Sequence, residues 1–502
     1  MFSRRLIILF AIACIVYVST VLLLGSRTSP ISDASLPVPN ESISVTNRPS
    51  PAVVDYWQRW ALVILAAKPM IPHVELRIGA ASIMEPHGTP KFGKEEDDRQ
   101  PTPDQSVLSK ADVQSLRRSH AILLEYPGFN ETREEALKLF RGTGIVMVAG
   151  GRYYAPAIVS IRMLRRTNST LPVQLYLQSS SEYEPHICEE VLPALNAECF
   201  VIEDYLRSDT PFKVTHYQLK VLAILFSSFE SLIFLDADCI PLHDPLELLT
   251  SEPFLSTGLV SWPDYWIATE DPAFYTIAGF KAYPTGLPLR SSESGQLLIS
   301  KEKHLSSLLL AAYYNVYGPT HYYPILSQGA PGEGDKDTFL AGAIVLHRSW
   351  YRVKEHTGSV GFSDYQGGFH GKGMIQYDAH EEWSLREYTH TAQPRPFFLH
   401  ANTPKMNVGR LVLGEEKELF MPYAGGAEEP VRLWGPKDKM VSKFDYDVEK
   451  VVWEIMVDMA CELEGVLRDW KKIKHVCRKA RAHWDAVFGE GAQLARNTTE
   501  TA

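Results

Sequence analysis

The chain has 502 residues, of which 45% are hydrophobic and 22% charged, and its formal net charge is −10. These ordinary values exclude a fully disordered chain, a collagen-like repeat, a coiled coil and a polytopic membrane protein. The mildly acidic balance argues against nucleic acid as a partner, because binding a polyphosphate requires a segregated basic face.

The N-terminus carries an uncharged apolar run from Leu6 to Gly25. A helix of about 20 residues spans about 30 Å, the thickness of the hydrocarbon core of a bilayer. Arg4 and Arg5 precede the run, so the positive-inside rule places residues 1–5 in the cytosol and the rest of the chain across the membrane. A cleaved signal peptide is the alternative, but its apolar region usually has about 7–15 residues. We therefore expect an uncleaved type II signal anchor at residues 6–25.

Two further features suit a chain that enters the secretory pathway. Residues 26–51 are rich in Ser, Pro and Asn, which predicts a flexible stem. The N-x-S/T acceptor pattern for N-glycosylation occurs at Asn40, Asn130, Asn168 and Asn497. The cysteines outside the anchor allow two local disulfides, Cys188 with Cys199 and Cys461 with Cys477, and the alternative is that all of them are buried free thiols.

The remaining elements follow in chain order. A helical N-terminal extension is expected over residues 52–141, an α/β domain over 142–410 and a mainly helical C-terminal extension over 411–502. Within the α/β domain, short apolar strands alternate with helices: strands at 144–151, 171–178, 197–204 and 231–245, the last running into a loop, and helices at 154–166 and 216–229. This alternation indicates a doubly wound sheet, whose ligand site lies at the carboxyl ends of its strands.

A D-x-D motif, Asp236 and Asp238, closes the apolar run LIFL. Two carboxylates one residue apart at the end of a buried strand can converge on one Mg²⁺ or Mn²⁺ ion, which can also bind a diphosphate. The alternative is a pair of aspartates that cap the loop. We favour the metal site because the motif directly follows four large apolar residues.

A second apolar strand, PFFLH, ends at His400, and Lys405 follows in the segment HANTPKMN. A neutral imidazole is a suitable third ligand for Mn²⁺, and a nearby lysine can neutralise a departing diphosphate. A histidine at a strand end is more often structural when it stands alone. The D-x-D motif is the reason for favouring His400 as a ligand.

Two polar segments are candidates for the same cleft. Asp335 and Asp337 belong to GDKD, just before the apolar run TFLAGAIVL, where they either cap a helix or meet a sugar hydroxyl or an anomeric carbon. The segment Glu293–Gln296 precedes LLIS and carries polar groups that can line the cleft.

Five segments together resemble the fungal Golgi α-mannosyltransferases of the Mnn type (glycosyltransferase family 71). They are GIVMVAGGRYY, YQLKVLAILFSSFESLIFLDADCIPLHDP, ESGQLLISK, GDKDTF and FFLHANTPKMN. The resemblance implies a GT-A nucleotide-sugar transferase fold, an α/β architecture with a doubly wound mixed sheet, with residues 142–410 as the catalytic domain. It also implies GDP-mannose as donor, Mn²⁺ as cofactor, mannan or N- and O-linked glycans as acceptors, and a Golgi membrane location. A complex with other Golgi mannosyltransferases is compatible with it.

The resemblance also suggests roles for individual residues. Asp236, Asp238 and His400 would hold Mn²⁺, and Asp335 and Asp337 would form the acidic loop that meets the donor sugar. The nucleotide and its diphosphate would be contacted by Gly150, Gly151, Arg152, Tyr153, Lys220 and Lys405. Cys239 departs from the pattern, since this family more often has Asn there.

The most direct expectation is a retaining transferase that forms α-1,2-linked mannose branches. Three alternatives stay open: an α-1,3-mannosyltransferase, a transferase that uses a UDP-sugar, and a catalytically silent glycan-binding scaffold on the same fold. A glycoside hydrolase is disfavoured because its paired carboxylates flank the scissile bond and do not require a D-x-D motif.

Overall fold

The computed structural model describes residues 49–77, 99, 101–130, 132–206, 212, 214–364, 367–385, 393–412, 420–422 and 428–489. All described residues belong to one compact unit, Asn47–Ala502. The predicted anchor at 6–25 and the predicted stem up to residue 48 lie outside the described residues. No helix formed by the described residues is both long and apolar enough to cross a membrane.

Strands and helices alternate through the middle of this unit. The strands are β1 (Thr143–Val148), β2 (Val173–Leu177), β3 (Ala197–Val201), β4 (Ser231–Asp236), β5 (Cys239–Pro241), β6 (Leu259–Ile267), β7 (Arg290–Ser300), β8 (Tyr351–Arg352), β9 (Gly358–Ser363), β10 (Phe369–Tyr377), β11 (Pro396–His400), β12 (Phe420–Pro422) and β13 (Glu428–Pro430). The α-helices are α1 (Pro51–Ala66), α2 (Lys110–Leu124), α3 (Thr132–Leu139), α4 (Tyr154–Arg166), α5 (Gln218–Phe226), α6 (Leu246–Leu249), α7 (Phe254–Thr257), α8 (Ala273–Ile277), α9 (Lys301–Val316), α10 (Tyr323–Ser327), α11 (Thr338–Val345), α12 (Ala379–Leu385), α13 (Val408–Leu411), α14 (Lys437–Phe444), α15 (Val448–Leu463) and α16 (Val476–Phe488).

The main sheet is mixed, with the strand order β3-β2-β1-β4-β7-β6-β8. Strands β3, β2, β1 and β4 are parallel, β7 is antiparallel to both β4 and β6, and β8 is parallel to β6. A smaller antiparallel sheet has the order β5-β11-β10-β9. The predicted mixed α/β sheet is therefore confirmed.

Both faces of the main sheet are buried, which explains why its central strands are continuous apolar runs. On β1, Ile145 and Met147 pack into one hydrophobic cluster, while the alternate residue Val146 packs into the other. The first cluster takes in α4 and the C-terminal helices, represented by the fully buried Trp453. The second takes in α1, α5 and α9, represented by the fully buried Trp57.

Most of the predicted elements lie where the pattern places them. Helix α4 has the predicted bounds, and the C-terminal helical region consists of α15 and α16. The predicted helical region near 105–140 is two helices, and α2 begins at a capping box in which Ser109 and Asp112 bond each other's backbone N–H groups. The segment Glu293–Gln296 and the run LLIS that follows it both lie inside the long strand β7.

Both predicted disulfides are present, Cys188–Cys199 and Cys461–Cys477, and Cys239 is a buried free thiol. The second disulfide joins α15 to α16, the two helices that cover one face of the sheet.

Removing the Cys461–Cys477 disulfide should destabilise the fold without altering the crevice described below. Its two half-cystines are 16 residues apart, and a loop of that length corresponds to about 3 kcal/mol of unfolding free energy. We expect the double variant Cys461→Ser/Cys477→Ser to lose about that amount in urea denaturation. An unchanged denaturation midpoint would show that the α15–α16 pair needs no covalent link.

Candidate active site

The predicted ligand-binding edge lies where the strand order reverses. From β1 the chain proceeds to β2 and β3 on one side, and then returns to place β4 on the other side of β1. Val148 of β1 pairs with Asp236 of β4, so both strands end at the same edge. A crevice at the carboxyl ends of such strands is the usual ligand site of an open α/β sheet.

Strand register brings His400 to the D-x-D motif. Immediately after Asp238, β5 begins at Cys239 and pairs antiparallel with β11, where Cys239 is directly opposite His400. Residues that oppose each other in an antiparallel pair lie about 4.5–5.5 Å apart at their Cα atoms. The smaller sheet therefore delivers a histidine that is 162 positions away in sequence from Asp238.

Asp236, Asp238 and His400 form a group whose ligand atoms all lie within 4.8 Å of one another. His400 Nε2 is 3.4 Å from Asp238 Oδ1. Asp238 and His400 are buried, whereas the Asp236 side chain is one-third exposed, so the group opens to solvent on the Asp236 side. Two carboxylates and an imidazole are a donor set that suits Mn²⁺, and modest side-chain rotations would let them share one ion.

Positive charge surrounds Asp238 on two sides. Lys405 forms an ion pair with Oδ2, and His400 faces Oδ1. Burial by itself would raise the pKa of Asp238, but His400 and Lys405 outweigh it and hold that pKa well below its usual range. Burial would likewise lower the pKa of His400, but Asp238 and Glu293 outweigh it and raise that pKa to about 10. A cation bound through Nε2 must therefore displace a proton, so that the charge of the metal replaces the charge of the ring.

The second ring nitrogen of His400 contacts Glu293 on β7. His400 Nδ1 is 3.1 Å from Glu293 Oε1, which also accepts a 2.6 Å hydrogen bond from the Gly295 backbone N–H. The other oxygen of Glu293 accepts a hydrogen bond from the Gln296 amide. The close approach of the ring requires a glycine at 295, since a Cβ there would lie 2.5 Å from His400 Nδ1.

Lys220, in the first turn of α5, is a buried counter-ion. Its Nζ lies 3.2 Å from Asp236 Oδ1 and 3.5 Å from Asp335 Oδ2, and it donates to the carbonyl (2.6 Å) and hydroxyl (2.9 Å) oxygens of Ser294. Burial opposes the charge, but Asp236 and Asp335 outweigh it and raise the pKa of Lys220. The sequence interpretation had Lys220 reaching a phosphate, whereas in the structure its ammonium contacts four acceptor groups on three residues.

The two predicted loop carboxylates have different environments. Asp335 is buried beside Lys220, and burial raises its pKa to about 6 although Lys220 opposes the shift. Asp337 is at the N-cap position of α11, but its Oδ1 accepts a 2.7 Å hydrogen bond from the Ser292 N–H of β7 and makes no side-chain cap bond to the helix. Between them, Lys336 pairs with Asp264 of β6 at 2.8 Å and fixes the loop against the sheet.

The predicted nucleotide-contacting residues follow β1 directly. Gly150 and Gly151 have left-handed backbone φ values of 129° and 51°, and a Cβ on Gly150 would collide with the carboxylate of Glu182. Arg152 and Tyr153 are exposed and stack on each other at 5.0 Å.

Asn407 joins this turn to the Lys405 segment. Its Nδ2 donates to the Arg152 carbonyl oxygen at 2.8 Å and to Asp469 Oδ2 at 2.9 Å, and its Oδ1 accepts from the Trp470 indole N–H at 2.8 Å. The turn after β1 and the segment after β11 therefore border one crevice.

Sequence reasoning missed three parts of this arrangement. It placed Glu293 among the polar groups that can line the cleft but did not predict its contact with His400. It assigned no role to Asn407 or Asp264. A carboxylate two residues before a glycine, just ahead of the apolar run LLIS, was a usable signal for Glu293. Nothing in the local sequence pointed to Asp264, because its partner Lys336 comes from a distant loop.

Comparison with known proteins supplies the family. A family model described as putative mannosyltransferase matches residues 142–288 and 280–378. The α-1,2-mannosyltransferase MNN21 of Candida albicans is 34% identical over 435 residues, which cover 73% of this chain and 64% of that protein. The α-1,2-mannosyltransferase MNN2 of Saccharomyces cerevisiae is 39% identical over 306 residues, covering 54% of this chain and 51% of that protein.

Residues 142–378 match this mannosyltransferase family model, and the chain is similar to these α-1,2-mannosyltransferases. The predicted family resemblance is therefore confirmed. The chain spans between about half and two thirds of the length of these curated relatives.

Solved glycosyltransferases show only a weak structural resemblance. The glycosyltransferase GlyE of Streptococcus pneumoniae has a TM-score of 0.28 at 13% identity, covering 43% of this chain and 45% of its own. The galactosyltransferase LgtC has a TM-score of 0.27 at 14% identity, covering 42% of this chain and 73% of its own. These scores are too low to support any argument about this protein.

Replacing Lys220 should destabilise the protein by leaving two carboxylates without their counter-ion. Removing one partner of a buried ion pair typically costs about 3–5 kcal/mol. We expect Lys220→Met to lose unfolding free energy of that order in urea denaturation. The double variant Lys220→Met/Asp335→Asn should recover part of the loss, because it removes one of the unpaired charges. A double variant as unstable as Lys220→Met alone would contradict this account.

Substituting Gly295 should displace His400. A Cβ at this position would lie 2.5 Å from His400 Nδ1 and 2.7 Å from Glu293 Oε1, and overpacking of this kind costs about 1–3 kcal/mol. We expect Gly295→Ala to lower both the unfolding free energy and the affinity for Mn²⁺ in a titration followed by electron paramagnetic resonance. Gly371→Ala is the matched control, since the nearest atom to its Cβ would be 3.8 Å away.

Proposed function

We propose that this protein is a type II Golgi membrane α-1,2-mannosyltransferase with a GT-A nucleotide-sugar fold. In this proposal it transfers mannose from GDP-mannose to mannan or to the N- and O-linked glycans of mannoproteins, with Mn²⁺ bound at Asp236, Asp238 and His400. The observation that carries the proposal is the convergence of these three side chains, with Lys405, at the edge where β1 and β4 end. The printed names of the relatives support the transfer of mannose and the α-1,2 linkage.

The donor would lie along the crevice from the metal group towards the turn after β1. Bound Mn²⁺ would act as a Lewis acid that stabilises the charge developing on the departing diphosphate. Lys405 is the protein cation placed to share that task, because its side chain is 37% exposed and extends from the same segment that borders the turn. Gly151 leaves room for a nucleotide to approach the backbone closely, whereas the Glu182 carboxylate fills the space beside Gly150.

Asp335 is the carboxylate best placed to act on the sugar. It is buried beside Lys220, which also contacts Asp236, so it lies next to the metal group but is not part of it. A carboxylate there would stabilise positive charge that develops at the anomeric carbon. Asp337 has a different role. It accepts a hydrogen bond from the Ser292 backbone N–H, which holds the loop against β7. Transfer of mannose from GDP-α-mannose to form an α-mannoside would retain the configuration at the anomeric carbon.

Two features support a luminal location. The apolar run at 6–25 has the length of a signal anchor and follows two arginines. The two disulfides suit an oxidising compartment, because disulfides are rare in cytosolic proteins.

The test is a transfer assay with purified protein beginning at residue 49. We expect the protein to transfer mannose from GDP-mannose, in the presence of Mn²⁺, to an α-1,6-mannan acceptor, with α-1,2 linkages established by nuclear magnetic resonance. UDP-sugars should not serve as donors. An α-1,3 product would change the linkage assignment, and GDP binding without transfer would favour a glycan-binding scaffold.

Asp238→Ala should abolish transfer while the protein remains folded. Loss of metal stabilisation worth several kcal/mol corresponds to a rate decrease of more than about 100-fold. Asp458→Ala is the matched control, because Asp458 is exposed on α15. Near-normal transfer by purified Asp238→Ala would refute the metal assignment.

A further inference from the structure

We propose that Glu293 is a positioning residue that fixes the ring of His400 in the orientation and tautomer needed for metal binding. The proposal rests on the proposed metal site and assigns a role to a residue outside the three candidate ligands. It starts from the 3.1 Å contact between Glu293 Oε1 and His400 Nδ1, in which both side chains are buried.

The contact determines which ring nitrogen is available. A neutral imidazole has one N–H and one lone pair, and the hydrogen bond made by one nitrogen decides which nitrogen binds a metal. Because Nδ1 donates its hydrogen to Glu293, a metal would displace the hydrogen on Nε2, the nitrogen that faces Asp238, and bind the lone pair left there. Without an acceptor at Glu293, the ring is free to adopt the opposite tautomer or to rotate about its second side-chain torsion, which has a broad preference.

Glu293 is itself held in place. Its backbone lies in β7, an internal strand of the main sheet, where it is opposite Trp262 of β6. Oε1 also accepts from the Gly295 N–H at 2.6 Å, and Oε2 accepts from the Gln296 amide. A carboxylate with this many fixed donors can impose its geometry on a histidine.

These contacts distinguish Glu293 from a fourth ligand. Both of its oxygens have protein donors, and it is not in the group of residues whose ligand atoms converge within 4.8 Å. Glu293 also adds a negative charge next to His400, which makes the ring a better electron donor. We therefore assign Glu293 an effect on metal binding that passes through His400 alone.

The test is a double-mutant cycle on metal affinity with the full-length chain in detergent. Mn²⁺ dissociation constants are measured by electron paramagnetic resonance for wild type, Glu293→Ala, His400→Ala and the double variant. We expect Glu293→Ala to raise the dissociation constant about 10–100-fold, the usual effect of removing such a partner. In the His400→Ala background the same change should have no further effect, because residues that act through one group are not additive.

A second readout is the preference for Mn²⁺ over Mg²⁺. Imidazole nitrogen favours Mn²⁺, whereas Mg²⁺ prefers oxygen ligands. The ratio of the Mn²⁺ affinity to the Mg²⁺ affinity should therefore be lower in Glu293→Ala than in wild type, and equal to the ratio found for His400→Ala. A general loss of stability would not change this ratio.

Glu293→Gln and Glu449→Gln complete the design. In Glu293→Gln the side chain can still accept a hydrogen bond from His400 Nδ1–H but lacks the charge. The Mn²⁺ dissociation constant of this variant should therefore lie between those of wild type and Glu293→Ala. If Glu293→Ala does not fold, Glu293→Gln takes its place in the cycle. Glu449 is the control, since it is an equally buried carboxylate that accepts from the N–H groups of Leu433 and Trp434 on the C-terminal side of the fold. Its glutamine variant should bind Mn²⁺ like wild type.

The outcomes separate the two proposals. Wild type that binds no Mn²⁺ overturns the metal site and, with it, the role of Glu293. Wild type that binds Mn²⁺ while the Glu293 variants bind equally well overturns only the positioning role. Additive effects of Glu293→Ala and His400→Ala would also overturn it, because they would show that Glu293 acts on the metal directly.

Discussion

Crowded negative charge is the constraint on which the crevice depends. Asp236, Asp238, Glu293 and Asp335 lie within one connected network of contacts. Buried carboxylates are costly unless they are paired and hydrogen-bonded. Three cations offset this cost. Lys220 lies between Asp236 and Asp335, and the protonated His400 lies between Asp238 and Glu293. Lys405 pairs with Asp238. The overall charge of −10 is spread over the chain, and these few buried groups are the ones that matter for function.

The sheets supply the rigidity that this arrangement needs. β4 carries Asp236, β7 carries Glu293, and the β5–β11 pair carries His400 opposite Cys239. Asp236, Glu293 and His400 therefore stand on hydrogen-bonded strands and Lys220 on helix α5, whereas Asp238, Asp335 and Lys405 come from loops. Cys239 donates to Gln296 Oε1 at 3.4 Å, so it belongs to the same network that holds Glu293.

The sequence predicted those features of the fold that depend on residues close together in the chain. The alternation of apolar runs predicted β1 to β4 and α4, and the apolar run before Asp236 placed the D-x-D motif at a strand end. Spacing predicted both disulfides, because each joins residues close in sequence. The sequence did not predict contacts between distant segments. The contacts of Lys220 with Asp236 and Asp335 depend on strand order. The contact of Glu293 with His400 depends on the register of β11 against β5. The predictions for residues 6–25 and 26–48 fall outside the described structure and remain predictions.

The two lysines of the crevice differ in a way that fits the proposed function. The Lys220 side chain is 8% exposed and contacts four acceptor groups on three residues, so it acts as a buried counter-ion. The Lys405 side chain is 37% exposed, and within the described part of the chain it pairs with Asp238, a candidate metal ligand. A divalent cation held by Asp238 would neutralise that carboxylate in place of Lys405. The Lys405 ammonium would then be free to contact the diphosphate of a donor, so in the proposed function metal binding would favour donor binding.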